Sequence, residues 1–284
     1  SRLGSLPARV ERSHMSGVPL GLAGHGELGI VDDRGSIALT GSDVVIRWWV
    51  GDIDGWHRDA ASTVRQAFVD SAPVVESRLR IHRGDVRATS FAALSASGSP
   101  VVVTELKNRT PAPVVVALVV GPHRSLSVEG ATAMVDGTTI VLGRSPSHVL
   151  RATDLDSLSA EIDRHTAEIA AGDTAADAEN PAEGPGAERG GGEPRFTALL
   201  VPVPHTRSVG WVVGSSGGVA GPSDLPTSEQ VVSGWASHAA SRSLRWVASQ
   251  STDAEWFAVT ASLLSMEPWG ADWSDERLAS WCGA

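Results

Sequence analysis

The chain has 284 residues, 42% of them hydrophobic, which is enough for one large domain or two ordinary ones around a sizeable core. Acidic residues outnumber basic ones by 33 to 23, and the net charge of −10 repels polyphosphate and argues against a nucleic-acid partner. Cys282 is the single cysteine, which excludes an intrachain disulfide and a thiolate metal cluster, and no apolar run approaches the ~18–20 residues that cross a bilayer.

Residues 1–16 read as a disordered polar leader without the charged start, apolar middle and cleavage site of a secretory signal, so a cytoplasmic location is the expectation. Residues 17–222 then read as one antiparallel β-sandwich domain, because short β-branched runs alternate with turn residues. Ile30-Val31 and Ser36–Leu39 flank the turn Asp32-Asp33-Arg34-Gly35, and Val44–Val50 is the next strand. Thr63–Val69 and Val74–Ile81 flank Asp70-Ser71-Ala72-Pro73, and His82-Arg83-Gly84 turns into Asp85–Leu94. The clearest hairpin joins Val101–Leu106 to Val114–Val120 through a proline-containing turn that forbids a continued ladder. Ser125–Val128, Ala131–Val135 and Thr139–Leu142 form a meander, with Asp136-Gly137 as a strong two-residue turn signal. Arg195–Val203 and Ser208–Val213 close the β region.

Two stretches depart from that alternation. Leu155, Leu158, Ile162 and Ile169 sit at near-helical spacing, which leaves helix and strand both open for 154–171. Residues 172–194 are dense in Gly, Ala, Glu and Pro and read as a mobile loop inserted in the β domain. Residues 227–284 read as a short helical tail. Thr227 and Gln230 make a capping-box pair ahead of Val231, Trp235, Ala239, Arg242 and Trp246, with further helices expected over 253–264 and 274–281.

Several motifs carry possible chemistry. Gly24–Gly29 matches G-x-G-x-x-G, but Ile30 onward reads as a hairpin where the fingerprint needs a helix, so a turn is preferred. Gly214–Gly218 matches G-x-S-x-G around Ser216, but a glycine- and proline-rich loop follows where the nucleophile elbow needs a helix. Nine histidines show no metal-ligand spacing, so neither metal nor cofactor is expected. Asn108-Arg109-Thr110 has the form of a glycosylation sequon and reads as a turn. Ten tryptophans with no tyrosine are unusual, and Trp48, Trp49 and Trp56 cluster with His57, Asp52 and Asp54. Indole faces stack on sugars and carboxylates bind hydroxyls, so Trp48, Trp49, Trp56 and His57 are candidate ligand-binding residues, with core packing as the competing assignment. Asp52 and Asp54 are the alternative catalytic pair, although acid–base hydrolysis needs a separation of ~5–10 Å across a cleft.

The segments WWVGDIDGWH (48–57), TVRQAFVDSAPVVESRLRI (63–81), VVVTELKNRTPAPVVVALVVGP (101–122) and FTALLVPVPHT (196–206) carry a family resemblance. Their order resembles the N-terminal β-sandwich domain of bacterial six-hairpin glycosidase-like proteins, of the glycogen-debranching and glucoamylase type. In that family a barrel of paired helices carries the catalytic carboxylates and the sandwich braces it. After Gly234 only about fifty residues follow here, so the resemblance implies no catalytic position in this sequence. The expectation is therefore a non-catalytic β-sandwich that binds carbohydrate or braces a helical protein partner. A glycoside-acting enzyme using the carboxylates near Trp56 is the alternative.

Overall fold

The computed structural model describes residues 17–58, 63–171, 193–214, 219 and 221–241, with backbone alone for 238–241. The early strands are β1 (Val18–Leu22), β2 (Gly26–Val31), β3 (Ile37–Leu39), β4 (Val45–Asp52) and β5 (Gly55–His57). They are followed by β6 (Val64–Val69), β7 (Ala72–Ile81), β8 (Gly84–Leu94), β9 (Pro100–Asn108) and β10 (Val114–His123). Then come β11 (Leu126–Glu129), β12 (Thr132–Val135), β13 (Thr138–Leu142), β14 (His148–Ala152) and helix α1 (Leu155–Ala171). The last elements are β15 (Arg195–Val203), β16 (Ser208–Gly214) and helix α2 (Ser228–Ser241).

These strands form two antiparallel sheets, the β-sandwich that the alternating pattern predicts. The first sheet has the order β1-β2-β3-β4-β10-β15-β14, with β5 hairpinned onto β4. The second has the order β11-β12-β13-β16-β9-β8-β7-β6. Side chains alternate faces along each strand, so Ile46, Trp48 and Val50 of β4 point at Leu79, Val86 and Leu106 of the opposite sheet. That shared interior is the main core.

Each outer face carries a helix. Trp49, Ala117, Val119 and Leu200 are covered by Leu158 and Ile162 of α1. Val74, Phe91, Val103 and Val212 are covered by Trp235 of α2 together with Leu225. Central strands are thus buried on both sides, which is why β10 and β15 read as continuous apolar runs. Burying Leu158 and Ile162 fully contributes about 1.5–3 kcal/mol apiece.

The helix ends have local causes. Asp154 caps α1, its Oδ1 accepting from the Ser157 amide at 2.7 Å and its Oδ2 from the Ser157 hydroxyl at 2.8 Å. That cap settles the open assignment of 154–171 as helix. At α2 the capping box forms as expected, with Thr227 N donating to Gln230 Oε1 at 2.9 Å and Gln230 N to Thr227 Oγ1 at 3.3 Å.

Two turn expectations are corrected. β9 and β10 are not a hairpin, because they lie in different sheets and the 109–113 segment arches between them. Both runs are apolar because each is central in its own sheet, and two stacked central strands look like a hairpin in sequence. The turn before β7 is Asp70-Ser71, both at positive φ (48° and 58°), and Ala72-Pro73 already belong to the strand. The β2–β3 turn, the β7–β8 turn and the Asp136-Gly137 meander stand as predicted. The polar leader, the 172–192 part of the loop, Ser216, Trp246 and the helices expected over 253–264 and 274–281 lie outside the described residues.

Candidate functional site

The β4–β5 hairpin gathers most of the residues singled out by the tryptophan cluster, but two of its indoles face inward. Trp48 is 5% exposed between the sheets and donates Nε1 to the Gly35 carbonyl at 3.1 Å. Trp49 is 4% exposed beneath α1, with the Arg58 guanidinium 5.7 Å from its ring centroid. Neither ring presents a face to solvent. Trp56 lies over Gly51, where an added Cβ would meet its ring at 2.9 Å, and donates Nε1 to Thr166 Oγ1 of α1 at 3.0 Å. Arg58 ties the same hairpin to α1 through Asp163 Oδ1 at 2.6 Å and the Ser159 carbonyl at 3.2 Å. The hairpin therefore works as a clamp between the first sheet and its covering helix.

Its two aspartates turn to different histidines. Asp52 Oδ2 lies 3.2 Å from His57 Nε2, an ion-pair distance without hydrogen-bond alignment. Asp54 Oδ2 lies 3.8 Å from His82 Nδ1 across the β7–β8 turn. Between them Ile53 projects with 88% of its surface exposed. Neither carboxylate lines the cleft between Glu27 and Asp136 or the hollow beside Trp235 of α2.

A concave site lies elsewhere, at the end of the sandwich where the sheets part. There a cleft of about 520 Å³ opens, within the ~300–1,000 Å³ typical of ligand sites. One wall is β2 with the β3–β4 turn, carrying Glu27, Thr40, Ser42 and Asp43. The other is the β12–β13 turn, carrying Asp136 and Thr138. Leu39, Val101 and Val213 floor it with apolar surface. Both rims are tight turns built on left-handed residues, Gly41 at φ 82° and Asp136-Gly137 at 46° and 83°.

The polar groups of this cleft are partly committed. Thr40 Oγ1 donates to Glu27 Oε1 at 3.1 Å, and Ser42 Oγ accepts from the Val44 amide at 3.2 Å. Asp136 accepts from the Arg124 and Ser125 amides and the Ser125 hydroxyl, at 2.7–3.2 Å. Desolvation pushes its carboxyl upward, but those donors and nearby His123 outweigh it and hold it below the ordinary value. Asp136 is thus a turn lock, while Asp43 is exposed on the opposite rim. The lining contains three carboxylates and no lysine or arginine.

The sequence offered the Asp136-Gly137 turn, but not its meeting with Glu27 and Asp43. That meeting depends on which strands face each other across the sandwich, and no local pattern encodes it. Among the described residues no group of three His, Cys, Asp or Glu is placed to hold a metal ion. No described helix is long and apolar enough to cross a membrane. Compared with protein-family models and with curated proteins, the chain matches none.

Proposed function

We propose that the chain is a non-catalytic carbohydrate-binding β-sandwich whose ligand site is the end cleft. The observation that carries this reading is the chemistry of the lining. Carboxylates and hydroxyls accept and donate to sugar hydroxyls, the apolar floor suits the C–H face of a pyranose, and the absence of a cation disfavours an anionic ligand. The resemblance to glycosidase-associated sandwiches supports a neutral glucan as the first ligand to try. The non-catalytic part is supported by Asp52 and Asp54, which are turned to separate histidines and stand away from the cleft.

The test is calorimetric titration of the full chain with maltoheptaose. Asp43→Ala removes an exposed rim acceptor, and Thr40→Val removes a hydroxyl beside Glu27. Each is expected to weaken binding about tenfold, equivalent to about 1.4 kcal/mol. Binding of wild-type strength in both variants, or no heat with the unaltered protein, would reject the cleft as the site.

A further inference from the structure

The outer face of the second sheet carries a row of cations that the chain's overall charge does not explain. Arg65 of β6 is paired across strands with Arg78 of β7, Arg78 with Arg87 of β8, and Arg87 with Lys107 of β9. These are three consecutive like-charge pairs, an arrangement that works against sheet stability. The protein nevertheless has a net charge of −10, and Lys107 is its sole lysine.

Neutralisation of the row is incomplete. Glu76 serves both central arginines, at 2.8 Å from Arg78 and 3.5 Å from Arg87. Glu105, in the adjacent row, accepts instead from the Ser228 hydroxyl at 2.9 Å and the Ser228 amide at 3.4 Å, at the start of α2. Asp85 is taken by Arg80 at 3.1 Å. Among the described residues Arg65 and Lys107 have no acidic partner, both are exposed, and Arg87 Nε has no hydrogen-bond acceptor.

We propose that this row binds a linear anionic polysaccharide, carboxylated or sulfated. Strands spaced ~4.8 Å apart set the four cations in one cross-strand row about 14 Å long, which suits an extended chain. Guanidinium forks match carboxylate and sulfate oxygens two at a time. The neighbouring positions Ala67, Glu76, Thr89 and Glu105 offer no aromatic ring, so single-stranded nucleic acid would find charge without stacking. An acidic peptide would find no backbone partner, because the row crosses the face and does not follow an edge. The surface is separate from the end cleft and does not require it.

The full chain is titrated at low salt with oligogalacturonate and with a heparin-derived oligosaccharide, which separate the carboxylated from the sulfated source. Binding to at least one is expected, with an affinity that falls as salt rises. The double variant Arg65→Ser, Lys107→Ser should weaken it at least tenfold and flatten the log-affinity against log-salt line by roughly one for each cation removed. Both residues are exposed, so an unchanged melting midpoint is expected to certify the fold, and Asp43→Ala is expected to leave this binding intact. Failure to bind either glycan, unchanged binding in the double variant, or tighter binding of a single-stranded oligonucleotide or of oligoglutamate would overturn the proposal.

Discussion

Asn108 has no exposed surface, yet the arch between β9 and β10 is organised around its side chain. Its Nδ2 donates to the carbonyls of Ala112, Val203 and Pro204 at 2.8–3.3 Å, and its Oδ1 accepts from the amide and hydroxyl of Thr110. Asn108→Ala strands buried donors and acceptors and is expected to cost about 3 kcal/mol, read as a lowered urea midpoint at unchanged slope. A midpoint within error of wild type would show that water replaces the amide. His123 provides a second residue-scale test. It is 4% exposed and bonded to Thr197 Oγ1 at 2.9 Å, and burial drives its pKa below the ordinary 6.5. The unfolded chain then binds the proton more readily, so the stability that the neutral ring contributes is present above pH 6.5 and lost as pH falls through the lower folded value. His148, lowered first by burial and then by His165, acts in the same direction. Urea midpoints measured downward from neutral pH should decline, and His123→Gln should decline less. Equal slopes in the two proteins would remove His123 from the account.

At the scale of elements, the two helices do the same physical work on opposite faces. α1 inserts Leu158 and Ile162 against the first sheet, and α2 lays Trp235 against the second. Without them the apolar outer faces of β10, β15 and β9 would meet water. Leu158→Ala opens a cavity at a fully buried position and is expected to cost about 2–5 kcal/mol. A loss near 1 kcal/mol or less would mean that the helix relaxes into the space. The β4–β5 hairpin is tied into the same layer through Trp56–Thr166 and Arg58–Asp163, so its tryptophans serve packing more than display.

The layered architecture was legible because burial on one face leaves period-two alternation, and turn chemistry such as Asp136-Gly137 is local. Helix α2 was legible from its capping box and apolar stripe. What the sequence concealed is pairing between distant segments. β9 and β10 look like a hairpin because each is a central strand, and only the stacking of two sheets distinguishes an arch from a turn. The burial of Trp48 and Trp49 was by contrast legible, because strand alternation sends adjacent side chains to opposite faces and each indole packs into its own buried layer. The end cleft and the cationic row are likewise products of register. Glu27 and Asp136 line one cleft from opposite sheets, and Arg65 and Lys107 fall in one row through three successive pairings over four strands.

At the scale of the whole molecule, the described residues form a two-sheet body with a helix packed on each outer face and a cleft at one end. Charge is unevenly distributed over it. The cleft lining is acidic, and the face of β6 to β9 is locally basic within a chain of net charge −10. The most direct test of the end cleft as the ligand site is amide chemical-shift mapping of the isotope-labelled chain during titration with maltoheptaose. Perturbations should gather at residues 40–44, 101–102 and 136–138, with 52–57 still. Perturbations confined to 52–57, or none at saturating sugar, would contradict it.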